Sequence, residues 1–145
     1  MNKLKIVFMG TTDFAVGCLD ALMNSSHQIK AVITAPDREA GRGKKITHSE
    51  VKKYAINNNF KLLQPINLKD ENFVNELKSI NADIFVVVAF RMLPELVWRI
   101  PLKGTINLHA SLLPQLRGAA PIHWAIINGL KETGVTTFFI NKKID

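Results

Sequence analysis

The 145-residue sequence predicts an α/β fold: a doubly wound, mainly parallel sheet flanked by helices. Three observations carry the prediction. Apolar runs alternate with helix-spaced segments along the whole chain. The run at 84–90 is apolar on both faces, as a central parallel strand is. The first apolar run ends in Gly10, directly before a helical pattern. Strand–helix alternation at this spacing implies right-handed crossovers and Rossmann-like winding.

In order, "LKIVFMG" at 4–10 reads as a buried strand closed by glycine. A helix over 13–25 follows, with Phe14, Cys18, Leu19 and Leu22 on one face and Asp13 as its N-cap. "QIKAVITA" at 28–35 is a second strand, and 36–47 a long loop. A helix spans 49–59, starting at Ser49, and "FKLLQP" is a short strand closed by Pro65. An amphipathic helix at 69–80 puts Phe73, Leu77 and Ile80 on one face. The strand at 82–90, a short helix at 94–98, a strand at 104–110, a helix at 120–129 and a sixth strand at 133–140 complete the chain. Trp98, Trp124 and Phe138 read as core, Cys18 as inert core, His123 as structural and His48 as helping to cap the helix that begins at Ser49.

An apolar share of 47% supports a real core at single-domain length. The longest apolar run is far too short for a membrane helix, and the basic N-terminus runs into the first strand rather than a signal peptide. One cysteine rules out an internal disulfide framework and fits a reducing cytoplasm. The net charge of +7 favours an anionic partner. The chain stops just after its sixth strand, so the sheet is expected to be truncated on its C-terminal side.

Several common motifs are excluded. "GTTDFAVG" has Gly10 and Gly17 with no glycine between, so the dinucleotide fingerprint is missing. "GRGKK" resembles a phosphate loop but has Arg38 where glycine is required and Lys45 where a hydroxyl is required. The four histidines and one cysteine lack metal-ligand spacing, so no metal is expected. Ser111 does not sit between two glycines as a nucleophile elbow demands.

The polar strand end in "GTINLHASLLPQLRGAAPIHW" is the strongest chemical feature. Residues two apart in a strand share a face, so Asn107 and His109 are neighbours, while Ile106, Leu108 and Ala110 turn into packing. An Asn amide and an imidazole aimed at one point suit an oxyanion forming at an attacked carbonyl; two polar residues satisfying backbone groups at a sheet edge is the competing reading. Leu112, Leu113 and Pro114 then make a stiff loop with leucine walls, fit for a flat, partly apolar ligand. "REAGRGKK" sets four cations against one acid, with Gly41 and Gly43 giving flexibility. It is either a phosphate-binding loop or a solvated one.

These residues resemble the folate-dependent formyltransferases, and most of all those acting on methionyl-tRNA. The resemblance rests on "NLHASLLPQLRGAAPIHWAIINGLKETGVT", with "FMGTTDFA", "PDREAGRGKK" and "VVVAFRMLP", and it covers nearly the whole chain. It implies a doubly wound formyltransferase fold, 10-formyltetrahydrofolate as formyl donor and the α-amine of initiator methionyl-tRNA as acceptor. It puts the catalytic residues at Asn107, His109 and Asp145 and folate contacts at Ser111, Leu112, Leu113, Pro114, Phe90 and Leu93. It puts tRNA contacts at Arg38, Arg42, Lys44 and Lys45. It implies a cytoplasmic monomer with no metal and no membrane contact, in which 1–145 is an incomplete N-terminal formyltransferase domain and the C-terminal domain is absent. Phe90-Arg91 stands where many members have Tyr-Gly, and Thr11-Thr12 where many have Thr-Pro. Related enzymes acting on glycinamide ribonucleotide or an amino sugar, and a noncatalytic RNA-binding module, are the alternatives.

Overall fold

The structure is a computed structural model that describes residues 2–143. In chain order the elements are β1 (Lys5–Gly10), α1 (Asp13–Met23), β2 (Gln28–Ile33), β3 (Arg38–Ala40), β4 (Lys45–Thr47), α2 (Glu50–Asn57), β5 (Leu62–Leu63), α3 (Glu71–Ile80), β6 (Ile84–Val88), α4 (Glu95–Trp98), β7 (Thr105–His109), α5 (Pro121–Ile127) and β8 (Thr136–Phe139). Six strands form one sheet in the order β5-β2-β1-β6-β7-β8. All neighbours in it are parallel except β7 and β8, which run antiparallel. The doubly wound, mainly parallel sheet is therefore as the alternation predicts.

Alternate residues of the strands build two cores. Val7, Met9, Ile33, Phe85 and Val87 face Phe73 and Leu77 of α3 and Val97 of α4. Ile6, Phe8, Val32, Val86 and Val88 face Ala15 and Leu19 of α1 and Val51 and Ala55 of α2. From β1 the chain winds outward through β2 to β5, then returns to β6 on the other side of β1. That reversal opens a crevice at the carboxyl ends of β1 and β6, the usual ligand position in such sheets. Gly10, opposite Val88 in register, ends β1 on that side. A Cβ there would lie 2.7 Å from the Ala15 Cβ and 2.8 Å from the Val88 carbonyl oxygen. Only glycine lets α1 leave β1 so tightly.

Several local expectations are corrected. Thr12, not Asp13, caps α1, its side chain accepting from the Ala15 N–H; Asp13 Oδ1 accepts from Phe14 N instead. Ser49 alone caps α2, and His48 pairs with Asp37. The 36–47 segment contains an antiparallel hairpin, β3–β4, with Arg38 opposite Thr47. Trp124 is not core: it is 51% exposed, and α5 buries only Ala125. No described element covers that side of α5. His123 is likewise exposed.

Candidate active site

Asn107 and His109 stand on the face of β7 that looks toward α3 and α4. Their register places Asn107 beside Val87 of that core and beside Phe138 of β8, and His109 opposite Thr136. Thr105, two residues earlier on the same face, donates its hydroxyl proton to the Trp98 carbonyl at 2.8 Å. The other face carries Ile106 and Leu108 against the α1–α2 core. Among the described residues the Asn107 amide has no hydrogen-bond partner. His109 is buried, at 7% exposure, and its Nε2 lies 2.8 Å from the Leu116 carbonyl oxygen. A carbonyl only accepts, so Nε2 carries the proton in this contact. The ring is thus fixed as a donor toward the loop that follows it. Asp145 lies outside the described residues.

That loop is held by short side-chain bonds. The Ser111 hydroxyl donates to the Gln115 carbonyl at 2.6 Å and is fully buried. Thr136 Oγ1 donates to the Ser111 carbonyl at 2.7 Å and accepts from Leu113 N–H at 3.1 Å. The Leu113–Pro114 bond is cis, and Leu116, Gly118 and Ala120 all have positive φ. Leu112 is half exposed and Pro114 is exposed, so the loop presents an apolar rim beside the Asn–His pair. Thr136 and Leu116 were not singled out from the sequence. Their roles depend on partners 20 or more residues away or on backbone strain, neither of which leaves a local pattern.

At the end of β6, Ala89 takes φ +49 and Phe90 is half-buried. Arg91 donates from Nη2 to the Pro65 carbonyl at 2.7 Å and from Nη1 to the Ile66 carbonyl at 3.0 Å. Its guanidinium carbon lies 5.2 Å from the Phe90 ring centroid. Burial, with Arg38 nearby, pulls its pKa down. The clamp joins the β5–α3 and β6–α4 connections and walls an open cleft of about 910 Å³, whose lining includes Ile66, Arg91, Leu93 and Leu96. Leu93 is buried there, while Asn107 and His109 stand one strand away and do not line it. The cations Arg38, Arg42, Lys44 and Lys45 lie together on the exposed hairpin, which forms a two-stranded sheet of its own.

Residues 4–145 match the family model described as formyl transferase. The chain belongs to that family. Among curated formyl transferases, it is 63% identical over 145 residues to a methionyl-tRNA formyltransferase of Flavobacterium johnsoniae, covering 100% of this chain and 46% of that one. It is 60% identical to one of Bacteroides thetaiotaomicron, over 99% of this chain and 45% of that one. The chain thus spans about half the length of the curated relatives it matches. Solved structures share the formyltransferase fold at low identity. A glycinamide ribonucleotide transformylase of Geobacillus kaustophilus aligns with a TM-score of 0.75 at 18% identity, over 99% of this chain and 78% of that one. A formyltetrahydrofolate deformylase of Pseudomonas syringae aligns with a TM-score of 0.71 at 23% identity, over 99% of this chain and 48% of that one. Among the described residues no helix is long and apolar enough to cross a membrane. No group of three or more His, Cys, Asp or Glu among them is placed to hold a metal ion.

Proposed function

We propose that this segment belongs to an enzyme that moves a formyl group from 10-formyltetrahydrofolate to the α-amine of initiator methionyl-tRNA. Identity of 63% across the whole chain to a methionyl-tRNA formyltransferase is the observation that carries the choice of acceptor. The unpartnered Asn107 amide beside the buried His109 supports the chemistry. The neutral amine attacks the formyl carbon, a C–N bond forms, and the formyl oxygen takes up negative charge. Asn107 donates to that oxygen, and His109 adds a second donor as its Nε2–H, still on the ring, turns from the Leu116 carbonyl to the oxyanion. The bond to the folate nitrogen then breaks. The amine proton reaches that nitrogen through Asp145, which also orients the imidazole.

The folate lies against the cis-proline loop, with Ser111 shaping it from within and Leu112, Leu113 and Pro114 forming its apolar rim. Phe90 and Leu93 take the pterin side. The exposed cations Arg38, Arg42, Lys44 and Lys45 bind the phosphate backbone of the tRNA acceptor end. The enzyme works as a cytoplasmic monomer without metal. The test is direct: a protein of the relatives' full length carrying this segment is mixed with 10-formyltetrahydrofolate and charged initiator tRNA. Formyl-methionyl-tRNA is the expected product. Turnover of glycinamide ribonucleotide or an amino sugar in its place moves the assignment to another acceptor. Binding of RNA with no turnover of any amine reduces the protein to a noncatalytic module. Within an active enzyme, Arg42→Ala raises KM for tRNA and leaves that for folate unchanged.

A further inference from the structure

Every residue from Asp37 through His48 is exposed, and the hairpin between them has only three residues in each strand. Such a ribbon has little stability of its own in water. Its direction relative to the sheet is therefore set at its base. Arg38 faces Thr47 in the ladder, so Asp37 and His48 are the two feet. Asp37 joins them to the body of the protein. Its Oδ1 is 3.0 Å from His48 Nδ1 and accepts from Gln64 Nε2 at 3.0 Å; its Oδ2 accepts from Lys52 Nζ at 2.6 Å. Each partner is itself anchored. Gln64, just past β5, also donates to the Ala35 carbonyl. Lys52 is in the first turn of α2 and is only 13% exposed. The cap of that helix, Ser49, shares a 2.6 Å hydrogen bond with the buried Thr34 at the end of β2.

We propose that Asp37 is a positioning residue that aims the basic hairpin, tying its feet to α2 and to the end of β5. The Lys52 ammonium, followed by Gln64 and His48, holds the Asp37 carboxyl well below the usual carboxylate range, as a fixed three-way tie requires. The proposal rests on the reading that the hairpin meets the phosphates of the acceptor RNA.

The sign of the effect separates aim from charge. Removing an acid beside a basic hairpin makes it more positive, which by electrostatics alone tightens RNA binding. Loss of aim weakens it. In a protein of the relatives' full length, Asp37→Ala raises KM for methionyl-tRNA about two- to fivefold, the scale of an exposed ion pair. KM for 10-formyltetrahydrofolate and kcat stay put. The dependence of RNA affinity on salt becomes shallower even though a negative charge has gone. Arg42→Ala adds less in the Asp37→Ala background than it does alone, because an unaimed hairpin no longer presents Arg42. Gln64→Leu alters no charge and cuts one strand of the tie. It raises the tRNA KM in the same direction and stands in if Asp37→Ala fails to fold. If Arg42→Ala alone leaves the tRNA KM untouched, the RNA reading of the hairpin has failed. If Arg42→Ala raises it while Asp37→Ala and Gln64→Leu leave it unchanged or lower it, the positioning role alone is overturned.

Discussion

The His109 imidazole donates from Nε2 to the carbonyl of Leu116, a residue held at φ +54. A leucine in the left-handed region is strained by about 1–3 kcal/mol. The strained turn sits at the point where its carbonyl meets the buried ring, so it fixes which nitrogen carries the proton. Leu116→Ile puts a β-branched side chain in the same conformation and lowers stability by about 1 kcal/mol or more. Leu116→Asn suits positive φ and retains the backbone contact. Denaturant midpoints check the first effect. In the wild type and in Leu116→Asn, imidazole 15N shifts report a proton on Nε2.

Asn107 offers an amide with no partner among the described residues. It stands in the middle of β7, on the same strand face as His109, which ends the strand. If it stabilises the oxyanion, Asn107→Ala lowers kcat by about 10²–10³, the usual cost of one such donor. The KM for 10-formyltetrahydrofolate changes little, because the interaction grows only as charge develops on the formyl oxygen. Single-turnover formylation measures it, and a near-normal rate removes Asn107 from the chemistry.

The sheet was legible because β1 and β6 obey simple rules. Ile6 and Phe8 turn to one core, Val7 and Met9 to the other, and Phe85 to Val88 are buried on both faces. The pairing of Asn107 with His109 on one face follows from the same pleat. What stayed hidden depends on distant partners. The hairpin at 38–47 reads as a polar, glycine-containing loop, and its anchors, Lys52 and Gln64, are reached only through the fold. Trp124 has the spacing of a core residue, yet no described element covers it. Positive φ at Leu116, Ala89 and Ala120 is imposed by surroundings and carries no residue signature.

Gly10 leaves no room for a side chain at the end of β1. In Gly10→Ala the new methyl meets the Ala15 methyl at 2.7 Å and the Val88 carbonyl oxygen at 2.8 Å, on two packed elements. Neither yields cheaply, so the variant is about 1–3 kcal/mol less stable. Urea unfolding shows a lower midpoint with an unchanged slope. Gly17→Ala serves as the control: its Cβ meets nothing within 4 Å on the exposed side of α1, and the midpoint holds or rises.

Tyr54 links α2 to α1 through a 2.7 Å hydrogen bond from its hydroxyl to Asp20 Oδ1. Burial first, then that bond, pushes its pKa up to about 12. A phenol in the unfolded chain titrates near 10. The folded state therefore holds this proton more tightly. The stabilisation is complete below about pH 10 and is lost as pH rises from there through about 12, where only the unfolded chain has shed its proton. NMR of 13C-labelled tyrosine, assigned with Tyr54→Phe, reads the midpoint. Asp20→Asn moves it down toward 10, and an unshifted midpoint in the wild type discounts the contact.

Thr136 reaches from β8 into the loop after β7, donating to the Ser111 carbonyl and accepting from the Leu113 N–H. One hydroxyl thus satisfies two backbone groups that flank Leu112, on the rim proposed to meet the folate. Thr136→Val keeps the shape and removes both bonds, leaving the Ser111 carbonyl without its partner inside a buried residue. The loss is about 1–3 kcal/mol of stability. If the loop forms the proposed folate rim, KM for 10-formyltetrahydrofolate rises, while KM for methionyl-tRNA, which the proposal gives to the hairpin, holds. Thr136→Ser restores the hydroxyl and recovers the folate KM. A valine variant that is destabilised but keeps its folate KM confines Thr136 to holding the fold and detaches the cis-proline loop from the donor site.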